Sequence, residues 1–380
     1  MTSVCILTSA HSPFDHRIFH KQAKTLVEAG YDVTLIAHHD REETQDGVEI
    51  VPIQPSGTTI DRSLDLFRIY RTAKNTNADV FHFHDPTLLP FGAALSFRTG
   101  AKVIYDAHED YSESFKQYAM APDWAVPLVD RFWPTLESTL ANRLDGVIGA
   151  TEYIADLFRE WGHENVISVH NFPNVSQMHE QEIPIDREHE YILIFTGGVG
   201  EHRGLTSMLE VTEHLQKDGY DVCLWLLGPV NVDGGEKELQ SRLNREGYAD
   251  YVRVLGPVDH NKVYSYQRKA DIGLAYMQKE ADGERYYWRG LPTKMVEYMY
   301  AELPVVATDT IGVQNYLPDE CGIKIPDQHI ELQADAISEF LDSPAKRTEM
   351  GKAGRKYVEE TMSWNAESEK LLAFYRKLLN

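Results

Sequence analysis

Two stretches in the second half of the sequence carry residue types suited to holding a phosphorylated ligand. In the first, Gly197, Gly198 and Gly200 follow the apolar run YILIFT and precede the helical pattern LTSMLEVTEHL, with Arg203 at the junction. A glycine-rich turn between a strand and a helix lets backbone amides approach an anion, and the helix N-terminus adds positive potential. The turn therefore predicts a phosphate-binding loop, with a purely structural turn as the alternative. The pattern is not GxGxxG, which disfavours a dinucleotide cofactor.

The second stretch is LPTKMVEYMYAELPVVA. Pro292 opens a predicted helix, on which Lys294 and Glu297 lie three residues apart on one face. A carboxylate at this place can accept two hydrogen bonds from a ribose diol, while Lys294 and the backbone near Thr293 can face phosphate oxygens. The alternative is an ordinary surface ion pair between neighbouring helical turns.

The first half of the chain places polar residues at the predicted ends of strands. His82 and His84 in FHFHD are separated by one residue, so both point to one face of a strand. With Asp85 they are candidates for a metal site, for contact with a second substrate, or for a structural role. Asp15 and Arg17 follow the first strand and are also candidates for that second substrate. A helix N-cap and a surface charge are the alternatives for this pair.

Short β-rich runs alternate with amphipathic helical segments, which predicts βαβ units and mostly parallel sheets. The rhythm stops between about Val169 and Glu190, a polar segment with two prolines that we interpret as an interdomain linker. A chain of 380 residues also exceeds the size at which one hydrophobic core keeps growing. Two successive doubly wound units of similar size would place a ligand cleft between them.

Composition and charge restrict the class of protein. The net charge of −22, from 59 acidic and 37 basic residues, would repel a nucleic-acid backbone and argues against nucleic-acid binding. The apolar runs fall short of the roughly 20 residues that cross a bilayer. The start MTSVCILTSAHSPF has no basic residue before its apolar run and predicts a buried strand instead of a signal peptide. We therefore expect a cytoplasmic protein with reduced, buried cysteines.

One segment, IDRSLDLFRIYRTAK, combines apolar residues at helical spacing with a local cluster of basic residues. Such a face could touch anionic lipid and hold the protein weakly at the inner surface of a membrane. An ordinary helix that covers the sheet is the alternative. The basic residues are Arg62, Arg68, Arg71 and Lys74.

The order of these stretches resembles the GT-B glycosyltransferases of family 4, the retaining group 1 type. The resemblance rests on TGG...RG, LLGP, VRVLGPV, ADIGLAYM, PTKMVEYMYAELPVVATD and a final MSW, with DVFHFHDPTLLP and VIYDAHEDY in the first half. It implies an α/β fold of two Rossmann-like doubly wound domains facing across a cleft. The expected parts are an acceptor-side domain at 1–172, a nucleotide-sugar domain at 173–360, and a C-terminal helix at 361–380 that packs back on the first domain.

The resemblance also implies roles for residues of the second domain. Glu297 corresponds to the glutamate that holds the donor ribose, and Arg203 to the basic residue on the leaving diphosphate. Lys294, with the backbone at Thr293, lies where a helix N-terminus meets that diphosphate. The full set implied for donor binding is Gly197, Gly198, Arg203, Val258, Thr293, Lys294 and Glu297.

For the first domain, His108 in YDAHE resembles the family histidine that lies over the donor sugar, and a neutral imidazole can hydrogen-bond a sugar hydroxyl or position the acceptor. Together with Arg203 and Lys294, His108 forms the expected catalytic set. The acceptor side is assigned to Asp15, Arg17, His84 and Asp85.

These residues predict sugar transfer from a nucleoside diphosphate sugar to a hydroxyl of a glycan or lipid-linked saccharide, with retention of configuration and without a metal or other cofactor. Arg289 stands where the family often has a sugar-contacting glutamate, which leaves the donor sugar open. The alternatives are a nucleotide-sugar epimerase or hydrolase, a metal-dependent hydrolase built on His82, His84 and Asp85, and a sugar-nucleotide-binding partner without catalysis.

Overall fold

The computed structural model describes residues 1–54, 59–109, 126–277, 291–327 and 329–380, and Arg289 lies outside them. The backbone of 59–63 and 126–130 is described as helical, whereas their side chains, including that of Arg62, are not. The chain divides into two compact units. The first comprises Met1–Asn171 and Trp364–Asn380, and the second comprises Phe172–Ser363. The boundary falls inside the polar segment that interrupts the βα rhythm.

The first unit contains, within the described residues, an eight-stranded sheet in the order β3-β4-β2-β1-β5-β6-β7-β8. All neighbouring strands are parallel except β3, which pairs antiparallel with β4 at the edge. The buried runs VCIL and VFHF form its centre, and the chain leaves β1 toward one edge and β5 toward the other. This reversal creates a topological switch point at the carboxyl ends of β1 and β5. The strands are β1 Ser3–Leu7, β2 Asp32–His38, β3 Glu43–Gln45, β4 Val48–Ile53, β5 Val80–Phe83, β6 Lys102–Ala107, β7 Gly146–Gly149 and β8 Val166–Ser168.

Helices cover both faces of this sheet. A π-helical segment, Ile18–Ala23, runs directly into the first α-helix. The helices of the unit are α1 Lys24–Glu28, α2 Thr59–Thr76, α3 Leu89–Thr99, α4 Val126–Ala141, α5 Glu152–Glu160 and, from the chain terminus, α13 Trp364–Leu379. Helix α13 packs so closely on β7 that a methyl group at Gly146 would lie 2.6 Å from the ring of Phe374. The terminal helix therefore completes the first unit, as expected.

The second unit contains, in its described part, a six-stranded parallel sheet in the order β11-β10-β9-β12-β13-β14. Its switch point lies between β9 and β12, because β10 and β13 extend the sheet in opposite directions. The strands are β9 Tyr191–Thr196, β10 Val222–Leu227, β11 Val252–Gly256, β12 Ile272–Ala275, β13 Val305–Thr308 and β14 Gly322–Ile325.

The helices of the second unit enclose this sheet between two apolar layers. Helix α9 begins directly after Pro292, which adopts an extended conformation at the N-cap. The helices are α6 Leu205–Lys217, α7 Gly235–Glu246, α8 His260–Lys269, α9 Thr293–Tyr300, α10 Ile311–Tyr316, α11 Ile330–Leu341 and α12 Pro344–Thr361. The two units thus have the doubly wound α/β architecture that the sequence predicts. None of the described helices combines the length and the apolar character needed to cross a bilayer.

Candidate active site

A pocket of about 300 Å³ opens at the switch point of the second sheet. Its walls come from the turn after β9, the end of β12 and the start of α9. The lining residues are Gly197, Gly198, Arg203, Ala275, Tyr276, Met277, Leu291, Pro292, Thr293 and Lys294. The structure therefore brings the two sequence stretches selected for phosphate chemistry into one cavity.

The glycine turn is shaped by a close backbone contact. Gly197 has a φ of +115°, and a methyl group at Gly228, which follows β10, would lie only 2.2 Å from the Gly197 carbonyl oxygen. Gly228 itself has a φ of +143°. A side chain at either residue would be strained, and one at Gly228 would push the turn away from the sheet. The glycine of LLGP is thus required for the loop that carries Gly197 and Gly198.

Lys294 projects from the first turn of α9 toward this glycine turn. Its Nζ lies 3.5 Å from the centroid of the Phe195 ring, and a methyl group at Gly197 would lie 3.4 Å from the same atom. Burial and the charge of Arg203 lower the pKa of Lys294 well below its ordinary range, and Glu297 opposes this only partly. An anion in the pocket would restore the charged form, because it replaces the lost solvation with a counter-charge.

Arg203 supplies the second cation of the pocket. It ends the 3₁₀ turn Glu201–Arg203, and Gly204 then adopts a left-handed conformation as the N-cap of α6. A methyl group at Gly204 would lie 3.0 Å from Cβ of Tyr276, so the turn is packed against the opposite wall. Two cationic groups and a helix N-terminus consequently converge on one cavity, which is the arrangement that binds a diphosphate.

Helix α9 is held in place by Tyr298, which sequence reasoning did not select. Its hydroxyl accepts a hydrogen bond from the Thr196 backbone amide at 2.7 Å and lies 3.3 Å from the Leu274 carbonyl oxygen, to which it donates. The ring packs against Gly273, where a methyl group would lie 2.4 Å from Cγ of the tyrosine. Tyr298 therefore ties α9 to the ends of β9 and β12. Its signal in the sequence was a tyrosine among the apolar residues of the helix.

Glu297 and Val258 lie near the pocket elements but outside the lining residues. Glu297 is partly buried and accepts a hydrogen bond from Nε2 of Gln267, on α8, at 3.2 Å. Val258 precedes α8 and is partly buried against the apolar layer of α9. Glu297 thus contacts a neighbouring helix, and a bond from it to a ribose stays a prediction.

In the first unit, Arg17 and Asp106 form a buried ion pair. The guanidinium donates to both carboxylate oxygens at 2.9 and 3.0 Å, and its Nη1 donates to the Val169 carbonyl oxygen at 2.7 Å. Gln22 donates to the same carboxylate. Although burial opposes ionisation, the Arg17 charge holds the pKa of Asp106 well below its usual range. Arg17 is 4% exposed, so the surface-charge alternative for it is wrong.

Three histidines surround this ion pair. His84 Nδ1 lies 3.0 Å from His108 Nε2. The ring of His84 also stacks on that of His82, with the centroids 4.7 Å apart. His82 Nδ1 in turn lies 2.7 Å from the hydroxyl of Tyr375 on α13. His108, at the end of β6, has a side chain 14% exposed. Burial lowers the pKa of His108 to about 3. The pKa of His84 is also lowered, mainly by burial and to a smaller extent by the charge of the neighbouring His82. His108 is therefore a neutral imidazole at physiological pH.

Asp85 and Asp15 have local partners. Asp85 is buried and accepts hydrogen bonds from the Thr8 hydroxyl at 2.9 Å and the Ser9 amide at 2.5 Å. Asp15 accepts from the amides of Arg17 and Ile18 at 2.8 and 3.0 Å, which is the capping geometry that was the alternative for it. Contact of either residue with an acceptor stays a prediction.

Among the described residues of the first unit, the cluster of His82, His84 and Asp106 does not fit a divalent metal. Ligand atoms of His82, His84 and Asp106 lie within 4.8 Å of one another, and Nε2 of both histidines lacks a hydrogen-bond partner among the described residues. The Arg17 guanidinium, however, covers both Asp106 oxygens, so a cation there would sit beside a fixed positive charge. Asp85, the carboxylate chosen from the sequence, is bonded elsewhere.

Two family profiles together cover most of the chain. The profile described as "Glycosyl transferases group 1" matches residues 178–357, and the one described as "Glycosyl transferase 4-like domain" matches residues 16–173. The chain belongs to the group 1 glycosyltransferase family. The predicted family and the GT-B fold are thereby confirmed.

Solved structures with the same fold include that of sucrose-phosphate synthase from Thermosynechococcus elongatus. It has a TM-score of 0.76 and 17% identity, with 100% of this chain and 99% of that chain covered. HepE of Anabaena, solved in complex with UDP, has a TM-score of 0.72 and 14% identity, with 99% and 100% covered.

Among sequence relatives, the phosphatidyl-myo-inositol mannosyltransferase of Mycobacterium leprae is 27% identical over 230 residues, or 58% of this chain and 57% of that protein. The matches of this chain to the first curated relatives cover between 36% and 57% of the length of those proteins.

The buried histidines predict that acid destabilises the glycosyltransferase. Because the pKa of His108 is about 3 in the folded unit, the unfolded chain, with an ordinary histidine pKa of about 6.5, binds more protons between these values. The free energy of unfolding should therefore fall as pH decreases from about 7 to about 5, by up to about 1 kcal/mol per pH unit for this group. Urea unfolding at a series of pH values measures this slope.

The variant His108→Gln should show a smaller pH slope, whereas Asn244→Gln, an exposed replacement on α7 that removes no titratable group, should keep the wild-type slope. Equal slopes in all three proteins would contradict a buried, neutral His108.

Proposed function

We propose that this glycosyltransferase moves a sugar from a nucleoside diphosphate sugar to a hydroxyl of a glycan or lipid-linked saccharide, with retention of configuration. The observation that carries the proposal is the convergence of Lys294, Arg203 and the N-terminus of α9 on one pocket at the switch point of the second sheet. The proposal is supported by the structure of HepE, which was solved with UDP bound to that protein.

In the proposed reaction, the bond between the sugar and the diphosphate breaks and negative charge develops on the departing diphosphate. Arg203 and Lys294 stabilise that charge, and the amides at the start of α9, which have no intrahelical acceptor, add to it. A bound anion favours the charged form of Lys294, whose pKa burial and the charge of Arg203 lower in the empty pocket. These groups supply the positive charge that a metal would otherwise bring, so we propose a reaction without a metal.

We propose that the acceptor hydroxyl attacks the face of the sugar from which the diphosphate leaves, so the anomeric configuration is retained. An oxygen of the diphosphate accepts the proton of the attacking hydroxyl, and the new bond to the acceptor replaces the broken one. His108, neutral and partly exposed at the end of β6, is proposed to hydrogen-bond the transferred sugar or the acceptor.

Calorimetry with UDP, GDP, ADP and dTDP sugars, followed by product detection with saccharide acceptors, tests the proposal. One nucleotide class should bind, and the sugar should appear on the acceptor. Glu297→Ala should weaken binding of that nucleotide about tenfold or more, since a ribose diol would lose hydrogen bonds to a charged group. The control Glu238→Ala changes an exposed carboxylate of α7 and should bind normally. Binding of none of these nucleotide sugars would contradict the proposed donor class.

A further inference from the structure

Exposed apolar side chains are concentrated on three helices of the first unit. Of the eight large apolar residues that are exposed in the described part of the chain, five lie on α2, α3 and α4. Phe97 on α3 is 89% exposed, and contact of so much aromatic surface with water is unfavourable. The five residues are Leu64, Phe67, Phe97, Phe132 and Leu136.

The three helices form one continuous layer, which we name the α2–α4 face. Helix α3 contacts both α2 and α4. The ring of Tyr70 on α2 lies 5.6 Å from that of Phe91 on α3, and Arg98 donates a hydrogen bond to the Tyr70 hydroxyl at 3.0 Å. The inner sides of the same helices contribute Leu95 and Trp133 to one buried cluster. The exposed apolar residues therefore belong to the outer surface of a single packed layer.

The charges of this layer are the reverse of those of the whole chain. Basic residues are exposed on all three helices, namely Arg68, Arg71, Lys74, Arg98 and Arg131. The acidic side chains that the structure describes on these helices, Asp65 and Glu137, are each only 2% exposed. Asp65 accepts a hydrogen bond from Arg68, and Glu137 accepts one from Trp133. In a chain of net charge −22, the described outer surface of these helices is thus basic.

We propose that the α2–α4 face docks on an anionic lipid bilayer. Apolar and aromatic side chains beside arginine and lysine match the interface of such a membrane, where rings enter the boundary of the acyl chains and cations meet phosphate groups. An acidic protein is repelled by anionic lipid over most of its surface, so this face also sets the orientation of the bound molecule. The docking surface is independent of the transfer reaction proposed above.

Flotation of the full chain with phosphatidylcholine vesicles, with and without phosphatidylglycerol, tests this surface. We expect binding to the vesicles that contain phosphatidylglycerol at low salt, and a loss of binding in molar salt, where surface charges are screened. No binding to the anionic vesicles at low salt would overturn the proposal.

Two pairs of substitutions separate the apolar from the electrostatic contribution. Phe67→Ser with Phe97→Ser, and Arg71→Glu with Lys74→Glu, should each reduce the bound fraction about tenfold or more at low salt. All four side chains are exposed, so the variants should keep the wild-type circular dichroism spectrum and melting temperature.

Matched pairs in the second unit serve as controls. Ile311→Ser with Leu332→Ser changes two exposed apolar residues, and Lys352→Glu with Lys356→Glu changes two exposed basic residues. Both pairs should bind vesicles as the wild type does. Equal losses in the control pairs would show unspecific adsorption and overturn the proposal. A concentration-dependent dimer in light scattering that Phe97→Ser abolishes, without vesicle binding, would assign the face to a second copy instead.

Discussion

Replacing Lys294 by methionine is expected to lower kcat/KM for sugar transfer by about 10²–10³-fold, the usual effect of removing one preorganised group that stabilises charge in the transition state. The ammonium group lies beside the glycine turn and over the Phe195 ring, so methionine keeps the packing of the stem and removes the cation. Because the charge that Lys294 meets grows as the diphosphate departs, kcat should fall more than substrate affinity.

The same variant has a second readout in the proton balance of binding. Burial and Arg203 lower the pKa of Lys294 in the free protein, and a bound anion raises it, so nucleoside diphosphate binding should take up a proton at alkaline pH. Calorimetry in buffers of different ionisation enthalpy measures this uptake, which Lys294→Met should abolish. Lys356→Met, on the exposed surface of α12, is the control. Normal turnover by Lys294→Met would remove this residue from the active site.

Replacing Arg17 by methionine is expected to lower the free energy of unfolding by about 3–5 kcal/mol, the effect of leaving a buried charge without its partner. Asp106 is fully buried, and the guanidinium bonds both of its oxygens. Chemical denaturation measures the change. The loss should be smaller at low pH, where protonation of Asp106 removes the uncompensated charge.

Two further variants make this result specific. Arg159→Met breaks an exposed ion-pair cluster on α5 and should cost no more than about 1 kcal/mol. Adding Asp106→Leu to Arg17→Met should restore much of the stability, because the pair is then replaced by apolar groups. If Arg17→Met proves as harmless as Arg159→Met, the ion pair is not a structural element of the first unit.

Much of the fold could be predicted because strands and helices have local patterns of apolar residues in the sequence. Buried parallel strands such as YILIFT and VFHF read as short apolar runs, and amphipathic helices follow them at regular intervals. The polar segment that interrupts this rhythm contains the boundary between Asn171 and Phe172. The edge hairpin of β3 and β4 was missed, since Glu43–Gln45 is short and polar and becomes a strand by pairing with β4.

The glycine turn after β9 and the start of α9 could also be predicted, because each depends on a local conformation. The φ of +115° at Gly197 requires glycine, and proline is favoured at the start of a helix such as α9. That the two stretches meet at one switch point is a finding of the structure, in which β9 lies beside β12 and parallel strands end at one edge of their sheet.

The sequence by itself determined the βα order of both units, the glycine turn and the position of Lys294 on the first turn of a helix. Only the tertiary structure decided which polar residues become partners. Arg17 meets Asp106 across 89 residues, and His82 meets Tyr375 across 293. The periodicity of apolar residues shows only which side chains share a face within one helix or one strand. Pairing over such separations depends instead on which strand ends and which helix the packed core brings together, and burial then makes each pairing obligatory.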